Sequence, residues 1–326
     1  MITLSDKKKE RMDRIAASDG FIKALAIDQR GSMEGMFRDN GEEPTKERIE
    51  ELKKIVSEEL TVYASSILLD PLYGIPGAHA RNEEAGLLLS YETTGFRDED
   101  RLPKVEDWLS IQRLVNEGAD AVKILLYYDP NDSEKVNEIK HAFVERIGSE
   151  AENEDLPFYL EIITYQKDIK DMKGAEFAKL KPAKVIASMK EFSKPHYKVD
   201  VLKMETPVNM NFVEGFAKGE VVYSKEEALQ AFKEQSEATT VPYIFLSAGV
   251  SAELFQDTLK FAKEAGAKFH GVLCGRATWR GVVEVFVKEG EEAAREWLRT
   301  TGKENIETLN EIVEASATPW TEMLEQ

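Results

Sequence analysis

Short, almost unbroken apolar runs alternate along this chain with longer stretches in which apolar residues recur every three or four positions. The runs are 22–28 (IKALAID), 65–70 (SSILLD), 86–91 (GLLLSY), 120–126 (DAVKILL), 157–163 (PFYLEII), 199–204 (VDVLKM), 242–247 (PYIFLS) and 270–275 (HGVLCG). Near-continuous apolarity predicts strands covered on both faces, as in a parallel sheet. The amphipathic stretches 45–60, 105–118, 133–150, 174–193, 225–238 and 251–265 predict the intervening helices. Eight strand–helix alternations without a compositional break predict an α/β fold, a single (β/α)8 TIM barrel over 1–326 with extra N- and C-terminal helices. Two doubly wound domains are the alternative, but no Pro/Gly/Ser-rich linker marks a boundary. The N-terminal helix is expected under the barrel's bottom. Residues 283–326 read as helices, with Asn305 and Thr318 as caps. The long connection 205–224 after the sixth strand is either a wall or lid for a site or a structural excursion.

Three of the strands carry a charged residue that their apolar pattern does not require. VDVLKME holds Lys203, DAVKILLYY holds Lys123 and PFYLEIITY holds Glu161. Side chains alternate across a strand, so Lys203 shares a face with Val201 and Glu205, Lys123 with Ala121, and Glu161 with Tyr159. If those faces point inward, the three groups converge at the top of the barrel, where active sites of such barrels lie. One lysine alone would read as a solvent-facing strand end; Lys–Glu–Lys on three successive strands reads as a site. A neutral lysine amine attacks carbonyls to form a Schiff base. Lysine titrates near about 10.4 in water, and burial or a second ammonium lowers that value, so Lys123 is expected to help keep Lys203 nucleophilic. Glu161 is expected to move protons while the carbinolamine forms and dehydrates. The resulting iminium is the electron sink that carbon–carbon cleavage needs.

The strand ends supply candidate binding groups. The first ends in Asp28-Gln29-Arg30, an acceptor, an amide and a cation suited to sugar hydroxyls and phosphate, or else a solvated turn. The last two end in LSAGVS and CGRATW, whose small residues let backbone N–H groups approach an anion at a helix N-terminus. Ser247, Gly249, Gly275 and Arg276 are the candidates there, because the loops after the seventh and eighth strands often hold phosphate in these barrels.

Composition narrows the partners. A net charge of −18, from 61 acidic and 43 basic residues, disfavours nucleic acid and anionic membranes as partners. An anionic substrate would need a local cationic pocket. The only cysteine, Cys274, lies in a strand and reads as a small buried hydrophobe; it permits no internal disulfide, which fits a reducing compartment. The N-terminus lacks the apolar core of a signal peptide, and no run approaches a membrane span, so a cytoplasmic location is expected. His79, His141, His196 and His270 form no close pair, so no metal is expected; no dinucleotide or ATP signature is present, and no cofactor is expected.

At these residues the chain resembles the class I tagatose 1,6-bisphosphate aldolases of the bacterial tagatose 6-phosphate pathway for lactose and galactose. The resemblance runs almost from end to end, through ALAIDQRGSM, SEELTVYASSILLDPLYG, AGLLLSYETTG, EGADAVKILLYYD, ERIGSE, AEFAKLKP, VDVLKMETPVNMNFVEG, PYIFLSAGVSAELF, GVLCGRATW and TPWTE. It implies Lys203 as the Schiff-base lysine, Glu161 as acid/base and Lys123 as an assistant. It also implies Asp28, Gln29 and Arg30 near substrate, with Ser247, Gly249, Gly275 and Arg276 around phosphate. The implied substrate is a phosphorylated ketose, cleaved to dihydroxyacetone phosphate and glyceraldehyde 3-phosphate without a metal. An aldolase for fructose 1,6-bisphosphate or sulfofructose 1-phosphate, and a non-catalytic sugar-phosphate sensor, are the competing readings. Homo-oligomerisation stays open.

Overall fold

A computed structural model describes residues 2–93 and 99–324; Thr94 and Gly95, which end the AGLLLSYETTG motif, lie outside them. Eight parallel strands close into a barrel in chain order: β1 (Ile22–Ala26), β2 (Ser66–Leu69), β3 (Gly86–Ser90), β4 (Ala121–Tyr128), β5 (Phe158–Thr164), β6 (Val201–Met204), β7 (Tyr243–Phe245) and β8 (Gly271–Cys274). Their Leu, Ile and Val side chains face either the barrel interior or the surrounding helices, which explains the unbroken apolar runs.

The interior is a packed plug. Ala24, Ala26, Leu68, Leu88, Ala121, Tyr159, Val201, Ile244 and Leu273 meet inside. Met12 and Ile15 of the helix Asp6–Ile15 seal it from below, with Trp320 beside them. Ion pairs of Lys8 and Arg14 fasten that helix. Lys8 bridges Asp200 at 2.9 Å and Arg14 bridges Asp120 at 2.8 Å. Each aspartate also accepts a backbone N–H from the strand before it, Phe158 and Leu87 respectively. The N-terminal helix therefore closes the bottom, and the open end is the top.

Some elements differ from the sequence reading, each for a local reason. The helix expected over 105–118 is Ile111–Asn116, capped by Ser110, because Val105 is spent on an antiparallel bridge to Glu92. The stretch 174–193 splits into Ala175–Ala178 and Lys181–Phe192; Pro182 lacks an N–H and so sits in the first turn of a new helix. Asn305 and Thr318 are not caps. Asn305 lies inside the helix Lys303–Ser316 and donates to the Thr278 carbonyl at 3.0 Å, while the Thr318 N–H donates to the Phe269 carbonyl at 2.8 Å.

A buried ion pair supports the top of β1 and β2. Lys53, from the helix Lys46–Leu60, meets Asp70, and both side chains are fully buried. Asp70 also accepts the N–H groups of Leu72 and Tyr73, and Lys53 donates to the Gln29 carbonyl at 2.8 Å. Asp70→Ala would strand a buried ammonium. We expect a loss of about 3–5 kcal/mol in unfolding free energy, read from the denaturant midpoint; a loss below about 1 kcal/mol would show that water replaces the carboxylate.

Candidate active site

Strand alternation carries the charged residues inward at the top. Below them on the same face lie Ala121 on β4, Tyr159 on β5 and Val201 on β6, all in the interior plug. Glu161 and Lys203 are register partners on adjacent strands. The first, second and third strands contribute in the same way, because Asp28, Asp70 and Glu92 continue the inward positions of Ala26, Leu68 and Leu88.

These residues form one ionic cluster. The Lys123 ammonium lies 2.8 Å from Asp28, 3.0 Å from Glu92 and 3.1 Å from Glu161. Lys203 lies 2.9 Å from Glu161. Arg30 donates to the Glu92 carbonyl at 2.6 Å and to its carboxylate at 3.1 Å. Three cations (Arg30, Lys123, Lys203) thus interleave with three carboxylates (Asp28, Glu92, Glu161).

The two lysines differ in surroundings, and this separates their chemistry. Burial alone would lower the pKa of Lys123, but Asp28, Glu92 and Glu161 outweigh it and hold the ammonium well above the ordinary value. Lys123 is therefore a fixed cation. Burial pushes Asp28 up, but Lys123, Lys203 and Arg30 outweigh it and hold its carboxyl well below the usual range. The depressed Asp28 adds stability that is present above about pH 3.9 and is lost as pH falls through its folded value. The raised Lys123 adds stability present below about pH 10.4 and lost as pH rises through its folded value. Between those limits both charges stay constant. Lys203, by contrast, has a single carboxylate, Glu161, within ion-pair distance among the described residues and opens onto a cavity. The help expected from Lys123 to Lys203 thus comes with a counter-charge: the three carboxylates offset the Lys123 field, and Lys123 holds Glu161 in reach of Lys203.

The cavity above has a volume of about 740 Å³. Glu161, Lys203, Gln29, Ser247, Gly249, Gly275 and Arg276 all line it. Asp28 and Lys123 lie beneath this lining. Arg30 is buried beside them, paired with Glu92 and Glu106, and is not among the lining residues. The cause is local, because the chain leaves the strand pattern at Arg30, which precedes the helix Gly31–Asp39.

The loops after β7 and β8 make a compact cradle at the cavity wall. Ala248 and Gly249 both have left-handed backbones, φ 49° and 73°, and the Val250 N–H closes the turn onto the Ser247 carbonyl at 3.1 Å. A Cβ on Gly249 would lie 3.2 Å from the Arg276 guanidinium. Gly275 opens the helix Arg276–Glu289, whose first N–H groups carry the positive end of its dipole. The segment 205–224 is a wall: Thr206, Asn209, Met210 and Asn211 line the cavity, and a Val213–Tyr223 bridge closes the excursion.

Glu92 and Glu205 were not singled out by the sequence. Glu205 accepts the Thr164 N–H and hydroxyl, each at 2.8 Å, and bridges Lys181 at 3.3 Å. The signal for both was strand parity: each falls two residues beyond an inward position. The buried Cys274 points to the helix layer, with its thiol pushed up to about 11 by burial, and His270 bonds the Thr318 carbonyl at 3.0 Å.

Comparison with known proteins agrees with this architecture. The model of the DeoC/LacD family aldolases matches residues 22–281. A protein of Enterococcus faecalis named tagatose 1,6-diphosphate aldolase 2 is 59% identical over 323 residues, covering 98% of this chain and 97% of that protein. A tagatose 1,6-diphosphate aldolase of Staphylococcus haemolyticus is 58% identical over 323 residues, covering 98% and 99%. Among solved structures, a fructose-bisphosphate aldolase of Plasmodium falciparum superposes with TM-score 0.71 at 14% identity, over 97% of this chain and 98% of that one. A Schiff-base-forming fructose-1,6-bisphosphate aldolase gives TM-score 0.54 at 18% identity, over 90% and 99%. These two likenesses concern the barrel fold.

Proposed function

The chain belongs to the DeoC/LacD aldolase family, and we propose that within it this protein is a Schiff-base aldolase that reversibly cleaves D-tagatose 1,6-bisphosphate to dihydroxyacetone phosphate and D-glyceraldehyde 3-phosphate. The observation that carries the mechanism is the unequal pair of lysines. Lys123 is held by three carboxylates, whereas Lys203 faces the cavity with Glu161 at 2.9 Å. The substrate assignment draws on the relatives' names.

In this reading the cradle of Ser247, Gly249, Gly275 and Arg276 holds the phosphate on C1, which sets the C2 ketone over Lys203. The Lys203 amine, its proton passed to Glu161, attacks C2. Glu161 then protonates the carbinolamine oxygen, water leaves, and an iminium forms. Glu161, again a base, takes the O4 proton; C3–C4 breaks, its electron pair flows into the iminium, and glyceraldehyde 3-phosphate departs. The enamine is protonated at C3, and hydrolysis frees dihydroxyacetone phosphate and Lys203. The iminium serves as the electrophile that polarises the carbonyl carbon. In the same reading Gln29 meets a substrate hydroxyl from the cavity lining, Asp28 supports the site from beneath, and Lys123 keeps Asp28 and Glu161 aligned.

A coupled assay of triose phosphate release tests the assignment. The expected result is a kcat/KM for tagatose 1,6-bisphosphate at or above that for fructose 1,6-bisphosphate, and above that for sulfofructose 1-phosphate. Cleavage of sulfofructose 1-phosphate alone would reassign the substrate, and tight sugar-phosphate binding without turnover would make the protein a sensor.

A further inference from the structure

The described ends of the connection between β3 and β4 pair with each other, and Arg101 from its second part lines the cavity. Glu92 bridges Val105, the Thr93 N–H donates to the Lys104 carbonyl at 2.8 Å, and the Glu106 N–H donates to the Tyr91 carbonyl at 3.1 Å. Arg101 lies on this connection with φ 48°, a left-handed conformation that residues other than glycine seldom adopt. Such a backbone persists where its surroundings hold it, and here they do. The Tyr165 hydroxyl lies 3.2 Å from the Asp100 carbonyl and 2.8 Å from the Asp132 carboxylate. Lys167 bridges Asp100 at 2.5 Å and Asp132 at 2.9 Å.

These ties deliver a guanidinium to the cavity. Arg101 packs on the rings of Tyr127 and Tyr165, 4.6 and 4.8 Å from their centroids, and lines the cavity. Among the described residues no carboxylate pairs with it, in a chain with 61 acidic and 43 basic residues. Stacking fixes its plane and leaves its N–H edge for a ligand. Lys173 lines the same cavity from its exposed rim.

Barrel topology sets where this cation stands relative to the cradle. In a closed ring of eight strands, β4 is opposite β8 and β3 is opposite β7. Arg101, which follows β3 and stacks on Tyr127 of β4, therefore faces the cradle built after β7 and β8. Lys203 and Glu161 lie on the floor below both.

We propose that Arg101 is the specificity-determining residue for a second anionic group of the substrate, on the half released as the aldehyde, with Lys173 assisting from the rim. This rests on the aldolase reading above. It explains how a chain of net charge −18 accepts a substrate anionic at both ends: each end meets a cation without a carboxylate partner among the described residues.

The test is Arg101→Met in the full chain, assayed on tagatose 1,6-bisphosphate and on tagatose 1-phosphate, which lacks the distal anion. The expected kcat/KM for the bisphosphate falls roughly 10- to 100-fold, the scale of a charge-assisted hydrogen-bonded contact. That for the 1-phosphate stays within about threefold, because the contact it could lose is absent. Equal losses on both substrates, or no loss on the bisphosphate, would overturn the proposal. Should Arg101→Met melt far below the parent, Lys173→Met on the exposed rim decides by the same ratio, with a smaller selective loss supporting the proposal and no selectivity overturning it. Borohydride trapping of the parent with dihydroxyacetone phosphate separates the two readings. No adduct sinks the aldolase reading and this inference with it; an adduct with an unselective Arg101→Met sinks the Arg101 role alone.

Discussion

Lys203→Ala will lower kcat for ketose bisphosphate cleavage by on the order of 10⁴-fold or more, the scale seen when an enzyme loses its covalent nucleophile. The other lysine of the cluster cannot take over. Lys123, the nearest candidate, is held as an ammonium by Asp28, Glu92 and Glu161. The fold should survive the substitution. Glu161 keeps Lys123 at 3.1 Å as a partner, so no carboxylate is left stranded, and the side chain lost lies at the cavity floor rather than in the plug. The measurement is steady-state turnover beside a thermal melt. Residual activity within tenfold of the parent in a well-folded variant would remove Lys203 from the chemistry.

Glu161→Gln will lower kcat by roughly 10²- to 10⁴-fold, the usual range for a positioned acid/base. The amide keeps the shape and one acceptor oxygen but cannot take a proton. It also removes the one carboxylate that ion-pairs with Lys203 among the described residues, whereas Lys123 retains Asp28 and Glu92. The two variants should therefore differ in kind. Lys203→Ala forms no covalent adduct, whereas Glu161→Gln forms one slowly, on the same lysine. Single-turnover trapping reads that difference. Equal adduct formation rates in Glu161→Gln and the parent would place the proton transfers elsewhere, with Asp28 the next carboxylate in the cluster.

Much of this arrangement was legible because a barrel strand obeys two simple patterns at once. Its length in apolar residues reveals the strand, and the parity of a charged residue within it tells whether that residue faces inward. Lys123, Glu161 and Lys203 are read that way. The same parity extends to Glu92 and Glu205, but both stand where the apolar run has ended, and there an acidic residue looks like the start of a loop. Arg30 is a case where local contacts were not legible. Its type and place suggested a substrate contact, yet the chain has turned toward a helix by then, and the side chain is spent on Glu92 and Glu106. Arg101 carries no sequence signal, because an excursion has no periodicity and its position depends on contacts with Tyr127, Tyr165 and Lys167 from other parts of the chain. The misread caps have the same origin: Asn305 is a good cap by type, but tertiary contact with the Thr278 carbonyl is what it supplies.

The most direct test of the central claim is to reduce the protein with borohydride in the presence of dihydroxyacetone phosphate, then to weigh it intact and map the modified peptide. A single covalent adduct on Lys203 is the result predicted here. An adduct on Lys123, or none while ligand binding is demonstrated and a known Schiff-base aldolase is trapped in parallel, would contradict it.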